Sequence, residues 1–139
     1  MVLALGSNLG DREYHLRRAL YELSAFVRIV RLSTIHESAA VDAPAGSPPF
    51  LNLVLVGLTT LSPSSLLSSL LSLEARLGRR RTGVRNEPRV IDIDLILHGV
   101  TRVRTQSLTL PHPRAHEREF VMTPLREIAL WSAGVLAPR

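Results

Sequence analysis

The order of apolar and polar residues along the chain predicts alternating strands and helices. A short apolar run over residues 1–5 predicts a buried strand, and the turn residues of 6–10 end it. Asp11 is a good N-cap residue, and after it apolar side chains return at helical spacing, at Leu16, Ala19, Leu20 and Leu23. The chain is therefore predicted to begin as strand, turn and helix.

A pair of strands and a second helix follow. The β-branched segment Val27–Ser38 and the apolar segment Leu51–Leu61 predict strands, and a proline-rich loop separates them. Ser62 and Pro63 are a typical helix start, and Gly78 suits a C-terminal cap. Between them a stripe of leucines predicts the buried face of this helix: Leu66, Leu67, Leu70, Leu71 and Leu77.

The remaining elements complete a recognisable order. Apolar and acidic residues alternate over Val90–Leu97, which predicts a fourth strand. A short strand over Val100–Thr105, a short helical stretch and a last apolar segment, Met122–Ala129, come after it. Strand, helix, strand, strand, helix, strand is the split βαβ pattern. We therefore expect one domain over residues 1–139, with an α/β (α+β), ferredoxin-like βαββαβ sandwich and a C-terminal extension.

Composition limits the environment and the chemistry of this protein. Cysteine is absent, which excludes disulfides and thiolate metal sites and fits a reducing compartment. No apolar stretch is long enough to span a bilayer, and the first residues lack a basic leader and a small-residue cleavage site. We therefore expect a cytoplasmic protein with no membrane partner.

The charge is concentrated in one segment. The formal net charge is +5, and all 17 basic residues are arginine, which excludes a P-loop lysine and a lysine Schiff base. Guanidinium groups match phosphate oxygens in a bidentate way. A polyphosphate site is thus predicted in the segment that holds Arg79, Arg80, Arg81, Arg85 and Arg89. A solvated charged loop and a nucleic-acid contact are the alternatives for this exposed basic loop.

Two carboxylates directly after the arginines predict a metal site. Asp92 and Asp94 lie two residues apart in the predicted fourth strand, so both emerge on one face while Ile91, Ile93 and Leu95 point into the core. Adjacent like charges are costly unless a cation lies between them. Magnesium usually takes one or two carboxylates together with substrate phosphates. Two solvated acids on an exposed strand are the simpler interpretation, and the adjacent arginines favour the metal–phosphate site.

Four other side chains are candidates on weaker grounds. His112 lies between two prolines and could contact phosphate or serve as a turn residue. Asn52 could bind the edge of a heterocycle with its donor and acceptor, or simply end a strand. Phe50 and Phe120 could be ligand platforms or core residues.

Taken together, these segments resemble one family, the 6-hydroxymethyl-7,8-dihydropterin pyrophosphokinases of folate biosynthesis. The resemblance rests on segments in order from residue 2 to about 128: ALGSNLG at 4–10, FLN at 50–52, EARLGR at 74–79, RNEPRVIDIDLI at 85–96, LPHP at 110–113 and REF at 118–120. The segment at 85–96 is the most specific of them.

The resemblance implies a reaction and its ligands. The hydroxymethyl oxygen of the pterin attacks the β-phosphorus of ATP, AMP leaves, and two Mg²⁺ ions assist. The chain is thus expected to be an ATP-dependent diphosphotransferase that binds ATP and the pterin as a monomer and binds no nucleic acid.

The resemblance also implies roles for individual residues. Asp92 and Asp94 would hold both metal ions, and Arg79 and Arg89 would stabilise the charge of the moving pyrophosphoryl group. Nucleotide or pyrophosphate contacts would come from Glu74, Arg81, Arg85, Leu95, His112 and Arg118. The pterin pocket would consist of Gly6, Ser38, Ala40, Val41, Phe50, Asn52 and Phe120, with the two aromatic rings enclosing the pterin.

The sequence departs from the family pattern at several positions in or near the site segments. Glu87 stands where the family usually has glycine or alanine, which places a negative charge beside the phosphate loop. Asn86 stands where tryptophan is frequent, and Ser38-Ala39-Ala40 replaces a Thr-Pro-Pro segment. Two other functions suit the same fold: an RNA-binding module, which would present aromatic side chains on its central strands, and a regulatory domain that binds a small molecule.

Overall fold

A computed structural model of the chain describes residues 1–128. Its strands are β1 (Val2–Ser7), β2 (Arg28–Leu32), β3 (His36–Ser38), β4 (Phe50–Leu58), β5 (Asp92–Leu97), β6 (Val103–Arg104) and β7 (Thr109–Leu110). Its helices are α1 (Arg12–Leu23), α2 (Pro63–Arg76), a 3₁₀ turn (Ala115–Glu117) and α3 (Glu119–Ile128). No helix within these residues is long and apolar enough to cross a membrane.

Both predicted helix starts are confirmed by their capping contacts. The Asp11 side chain accepts a hydrogen bond from the Tyr14 amide at 3.2 Å, and Ser62 Oγ accepts one from the Ser65 amide at 3.3 Å. These bonds satisfy backbone donors that a helix start leaves free. Gly78 follows the end of α2 with φ +101°, a conformation that favours glycine.

The sheet has the strand order expected of a ferredoxin-like fold. β1, β2, β4 and β5 lie in the order β2-β4-β1-β5, and the paired neighbours are antiparallel. β3 also pairs with β4, beyond the end of β2. With β2 and β3 counted as one strand, this is the predicted split βαβ arrangement.

Several predicted strands have different limits in the structure. The segment 27–38 is divided because Ser33 leaves the regular ladder, where its hydroxyl accepts a hydrogen bond from the Val54 amide and donates one to the Thr34 carbonyl. The third strand starts at Phe50 and ends at Leu58, and the fourth starts only at Asp92. Of Val100–Thr105, only residues 103–104 are extended, and they pair with β7 in a separate two-stranded sheet.

The sheet is covered on one face and partly covered on the other. α1 and α2 cover one face, where Leu66, Leu70 and Leu73 of α2 are buried, while Leu71 of the predicted stripe is exposed. The 3₁₀ turn and α3 cover part of the opposite face against Val2, Ala4, Val54 and Ile96. The predicted short helical stretch is present, but α3 continues through the apolar segment that starts at Met122 and ends at Ile128 in the described chain, and Ala129 lies outside the described residues.

Strand register brings distant polar residues into one row. Gly6 of β1 pairs with Asn52 of β4 on one side and with Asp92 of β5 on the other, and Ala4 pairs with Asp94. Directly paired residues point to the same face of a sheet. The row Asn52–Gly6–Asp92 therefore lies on the face that α3 covers only in part.

Candidate functional site

A cleft opens over the row Asn52–Gly6–Asp92. Its larger part, about 800 Å³, is lined by all three of these residues together with Phe50 and Phe120. A smaller cavity of about 310 Å³ adjoins it and is walled by α2 and the β6–β7 hairpin. Both cavities are lined by Arg79, Arg81, Asp92, Asp94 and His112. Because these residues are shared, the two cavities are halves of one site with the charged groups at their junction.

The two aspartates have unlike surroundings. Asp92 accepts hydrogen bonds from two arginines: Oδ1 from Arg79 Nη1 at 2.6 Å and Oδ2 from Arg89 Nη1 at 3.4 Å. No hydrogen bond or ion pair to the Asp94 side chain occurs within residues 1–128. Burial, and then the neighbouring Asp92, raise the pKa of the Asp94 carboxyl to about 7.

The aspartate pair fits a hard divalent cation. A cation beside Asp94 would offset both causes of its raised pKa, because it compensates burial and separates the like charges. Two carboxylates on one strand face are the set that Mg²⁺ takes when phosphates and water fill its other positions. Residues 1–128 contain no group of three or more histidine, cysteine or acidic side chains placed to hold a metal ion.

Glu74 lies beneath the site and is ion-paired with two of its arginines, Arg79 and Arg81. Only 3% of this residue is exposed. Its Oε2 accepts hydrogen bonds from Arg79 Nη1 at 2.9 Å and from the Ile93 amide at 2.7 Å. Burial raises the pKa of Glu74; burial alone would lower the pKa of Arg79, but Asp92 and Glu74 together raise it. Glu74 thus anchors Arg79 and the backbone between the two aspartates.

The basic segment is only partly the exposed loop that its sequence predicts. The Arg79 side chain is 10% exposed and Arg89 is also largely buried, because both are paired with Asp92, whereas the Arg81 side chain is 63% exposed. Arg85 is exposed at the tip. The segment therefore presents fixed arginines at its two ends and solvated ones between them.

Glu87 does not direct its charge at the phosphate region. Its carboxylate accepts hydrogen bonds from the Thr82 amide, at 2.7 Å, and from the Thr82 hydroxyl. These bonds lower the pKa of Glu87. Glu87, which departs from the family pattern, thus links two positions within the loop.

The opposite end of the cleft is suited to a flat heterocycle. Asn52 is 5% exposed, and its Nδ2 donates to Ser38 Oγ at 2.8 Å and to the His36 carbonyl at 3.3 Å. Each candidate aromatic platform has an arginine over its ring: the Arg89 and Arg118 guanidinium carbons lie 5.6 Å from the ring centroids of Phe50 and Phe120, respectively. Asn52 therefore has a fixed amide orientation beside the two rings.

Gly6 provides space at the centre of the row. A Cβ atom on this residue would lie 3.2 Å from Asn52 Oδ1 and 3.2 Å from Phe50 Cδ1. These separations are tighter than ordinary contacts, so a side chain here would displace one of the two neighbours. Glycine therefore leaves space between Asn52, at the end suited to a heterocycle, and Asp92, at the end suited to a metal ion.

His112 is held as a neutral donor at the junction of the cavities. Burial, followed by the charges of Arg118 and Arg114, lowers its pKa. Its Nδ1 accepts a hydrogen bond from the Arg114 amide at 3.2 Å. In the neutral ring the proton is therefore assigned to Nε2, which can donate to an anionic ligand.

The structure brings nearly all predicted site residues to this cleft. Those lining the larger cavity are Gly6, Ser38, Val41, Phe50, Asn52, Arg85, Arg89, Arg118 and Phe120, while Glu74 and Leu95 line the smaller one. Leu95 is otherwise a core residue, and Ala40 does not line either cavity. Their roles in binding stay predictions.

Asn8 is a structural part of the site that sequence reasoning did not single out. It is 1% exposed; its Nδ2 donates to the Pro48 carbonyl at 3.1 Å, and its Oδ1 accepts from the Arg89 amide at 2.8 Å. The Asn8 amide also donates to the Arg89 carbonyl. The turn segment Gly6–Gly10 was the only available signal, since the partners of Asn8 are 40 and 81 residues away.

Comparison with known proteins identifies the family. The family model for 7,8-dihydro-6-hydroxymethylpterin-pyrophosphokinase (HPPK) matches residues 2–130. A 2-amino-4-hydroxy-6-hydroxymethyldihydropteridine pyrophosphokinase from Bacillus subtilis is 41% identical over 91% of this chain and 75% of its own length. The corresponding protein from Aquifex aeolicus is 39% identical over 91% of this chain and 78% of its own length.

Longer relatives match the same region. A mitochondrial folate synthesis bifunctional protein from Arabidopsis thaliana is 38% identical over 92% of this chain, which spans only 23% of that protein. The match of the family model across almost all described residues, and the two bacterial relatives, agree with the site geometry. The chain belongs to the 7,8-dihydro-6-hydroxymethylpterin-pyrophosphokinase family.

Proposed function

We propose that this protein transfers pyrophosphate from ATP to the hydroxymethyl group of 6-hydroxymethyl-7,8-dihydropterin, giving AMP and the pterin diphosphate, in folate biosynthesis. The observation that carries the proposal is the row Asn52–Gly6–Asp92. It sets a pocket for a flat heterocycle directly beside a carboxylate pair and two largely buried arginines.

The two substrates occupy opposite halves of the cleft. The pterin lies against Asn52, with Phe50 and Phe120 on its faces, and displaces the Arg118 side chain that now covers the Phe120 ring. ATP lies in the smaller cavity, where Leu67 and Leu71 offer apolar contact to its base. The triphosphate then reaches the junction, where Arg79, Arg81 and His112 converge with the aspartates.

The reaction needs positioning and positive charge more than covalent help. Asp92 and Asp94 would hold two Mg²⁺ ions, which would supply charge neutralisation and activation of the attacking hydroxyl. Arg79 and Arg89, held in place by Asp92, offer donors where charge develops on the moving group. Neutral His112 donates from Nε2 to a phosphate oxygen.

The alternative functions fit the structure less well. An RNA-reading sheet presents aromatic rings along its open face. Here β4 has one such ring, Phe50, at its first residue, and β5 places two carboxylates on the open face, where they would repel phosphate. A purely regulatory domain has no need for a carboxylate pair of which one member is ion-paired with two arginines.

Measurement of AMP formation tests the proposal. The protein is incubated with ATP and Mg²⁺, with and without 6-hydroxymethyl-7,8-dihydropterin, and 6-methyl-7,8-dihydropterin serves as the matched control because it lacks the accepting hydroxyl. We expect AMP only with the hydroxymethyl compound, and none when EDTA removes the metal. AMP formation at the same rate with either pterin, or with neither, would reject the transfer reaction.

A further inference from the structure

Two loops border the larger cavity, and the proposed function places one at its pterin end and the other at its phosphate end. The pterin loop, residues 39–49, leads into Phe50, and the phosphate loop, residues 79–89, carries the arginines. Their bases are joined through Asn8, which bonds Pro48 of one loop and Arg89 of the other. A second, separate connection joins their tips.

The tip connection involves two non-glycine residues with positive φ. Among the non-glycine residues of 1–128, only Asp42 (φ 50°) and Asn86 (φ 54°) have a left-handed conformation. They touch each other: Asn86 Nδ2 donates to the Asp42 carbonyl at 2.9 Å. This conformation is uncommon for residues other than glycine, although asparagine and aspartate adopt it more readily than most.

Each loop is braced locally, so the contact joins two formed structures. In the phosphate loop, Thr82 is bonded to Glu87 through both its amide and its hydroxyl. In the pterin loop, the Ser47 amide and hydroxyl both donate to the Pro44 carbonyl. These braces present Asn86 and the Asp42 carbonyl to one another at the rim of the cavity, which both residues line.

We propose that Asn86 is a positioning residue. Its hydrogen bond to the Asp42 carbonyl, here called the clasp, links the phosphate loop to the pterin loop and thereby sets the affinity of the pterin pocket. The link to pterin rests on the function proposed above. The clasp holds the pterin loop closed against Phe50 before the pterin arrives. The loop therefore loses less conformational entropy when the pterin binds. The Asn8 connection keeps the loop bases together, and the Asn86 clasp acts on the tips alone.

Matched variants separate the clasp from general loop flexibility. Asn86→Gly accepts the left-handed conformation and removes the donor. Asn86→Asp keeps the size and shape of the side chain but replaces the donor with a carboxylate oxygen, which cannot bond the Asp42 carbonyl. Val84→Gly adds similar backbone freedom to the same loop and leaves the Asn86 donor intact, and Asp42→Asn keeps the acceptor carbonyl.

Hydrogen exchange of the free protein, followed by mass spectrometry, measures the clasp without any substrate. Loss of one hydrogen bond should speed exchange over residues 39–49 about fivefold in both Asn86 variants, although the changed residue lies in the other loop. Val84→Gly and Asp42→Asn should exchange like the wild type in that segment. Unchanged exchange in the Asn86 variants, or an equal gain in Val84→Gly, would overturn the clasp.

Kinetics test the link to pterin. Asn86→Gly should raise the KM for 6-hydroxymethyl-7,8-dihydropterin about fivefold and change kcat by less than about twofold, since the clasp touches no reacting group. A fall in kcat at unchanged KM would contradict the positioning role. If the wild type forms no pterin-dependent AMP while exchange responds as expected, the reaction is wrong and the clasp stands.

Discussion

Replacing Asp94 by asparagine should make the metal-free protein more stable and inactive. The Asp94 carboxylate has no hydrogen bond or ion pair within residues 1–128, and burial together with Asp92 raises its pKa from 3.8 to about 7. At pH 8 the folded protein therefore holds an unfavourable charge, which asparagine removes. Asp92→Asn is the matched variant, because the Asp92 carboxylate bonds two arginines, at 2.6 and 3.4 Å.

The size and the pH dependence of the effect follow from proton linkage. A shift of the Asp94 pKa from 3.8 to about 7 corresponds to an upper limit of about 4 kcal/mol at 1.36 kcal/mol per pH unit. Asp94 is still partly exposed and asparagine must bury amide donors, so a gain of about 1–2 kcal/mol is expected. Since the folded-state pKa is the higher one, the contribution of Asp94 to wild-type stability is lost as pH rises from about 4 to about 7.

Urea unfolding in excess EDTA, followed by circular dichroism, measures the difference. At pH 8, Asp94→Asn should raise the free energy of unfolding, while Asp92→Asn should lower it by about 2 kcal/mol because charge-assisted bonds are lost. The advantage of Asp94→Asn should shrink to less than half at pH 5. A loss of stability in Asp94→Asn at pH 8, or a gain that is equal at both pH values, would refute the reasoning.

Three further predictions concern single side chains. Phe120→Ala should weaken pterin binding by about 1–3 kcal/mol through lost stacking and leave ATP affinity, measured by calorimetry without pterin, nearly unchanged; a larger loss for ATP would contradict the placement. Glu74→Ala should lower the free energy of unfolding by about 3 kcal/mol, because it leaves Arg79 short of a partner and the Ile93 amide unpaired, while Glu74→Gln should cost less; equal effects would show that the charge is unimportant. Arg89→Ala should slow the chemical step in single-turnover kinetics more than it weakens ATP binding, and the reverse would make it a ground-state anchor.

Local patterns predicted the elements well where local chemistry controls them. Asp11 and Ser62 cap their helices with side-chain bonds to amides three residues ahead, so their roles depend on neighbouring sequence alone. The division of the second strand at Ser33 could not be predicted in this way, because the hydroxyl there bonds Val54, which is 21 residues distant.

The candidate site also has features that local sequence predicts and features that depend on distant contacts. The alternation over residues 91–95 predicted that Asp92 and Asp94 share a face, and the burial of Ile91, Ile93 and Leu95 confirms it. Nothing local indicated that Arg79 would be buried, since its partners Glu74 and Asp92 are brought to it by α2 and β5.

The sequence by itself determined the kinds of element, their order and the residue types available for chemistry, since periodicity, capping and composition act over short distances. Only the tertiary structure decided which of these residues meet. Antiparallel pairing of β1 with β4 and β5 sets Asn52, Gly6 and Asp92 in one row, although 46 and 40 residues separate the members along the chain. The tertiary structure also distinguishes the two aspartates, which lie two residues apart in one alternating segment. Asp92 is paired with arginines, whereas Asp94 has a pKa raised to about 7.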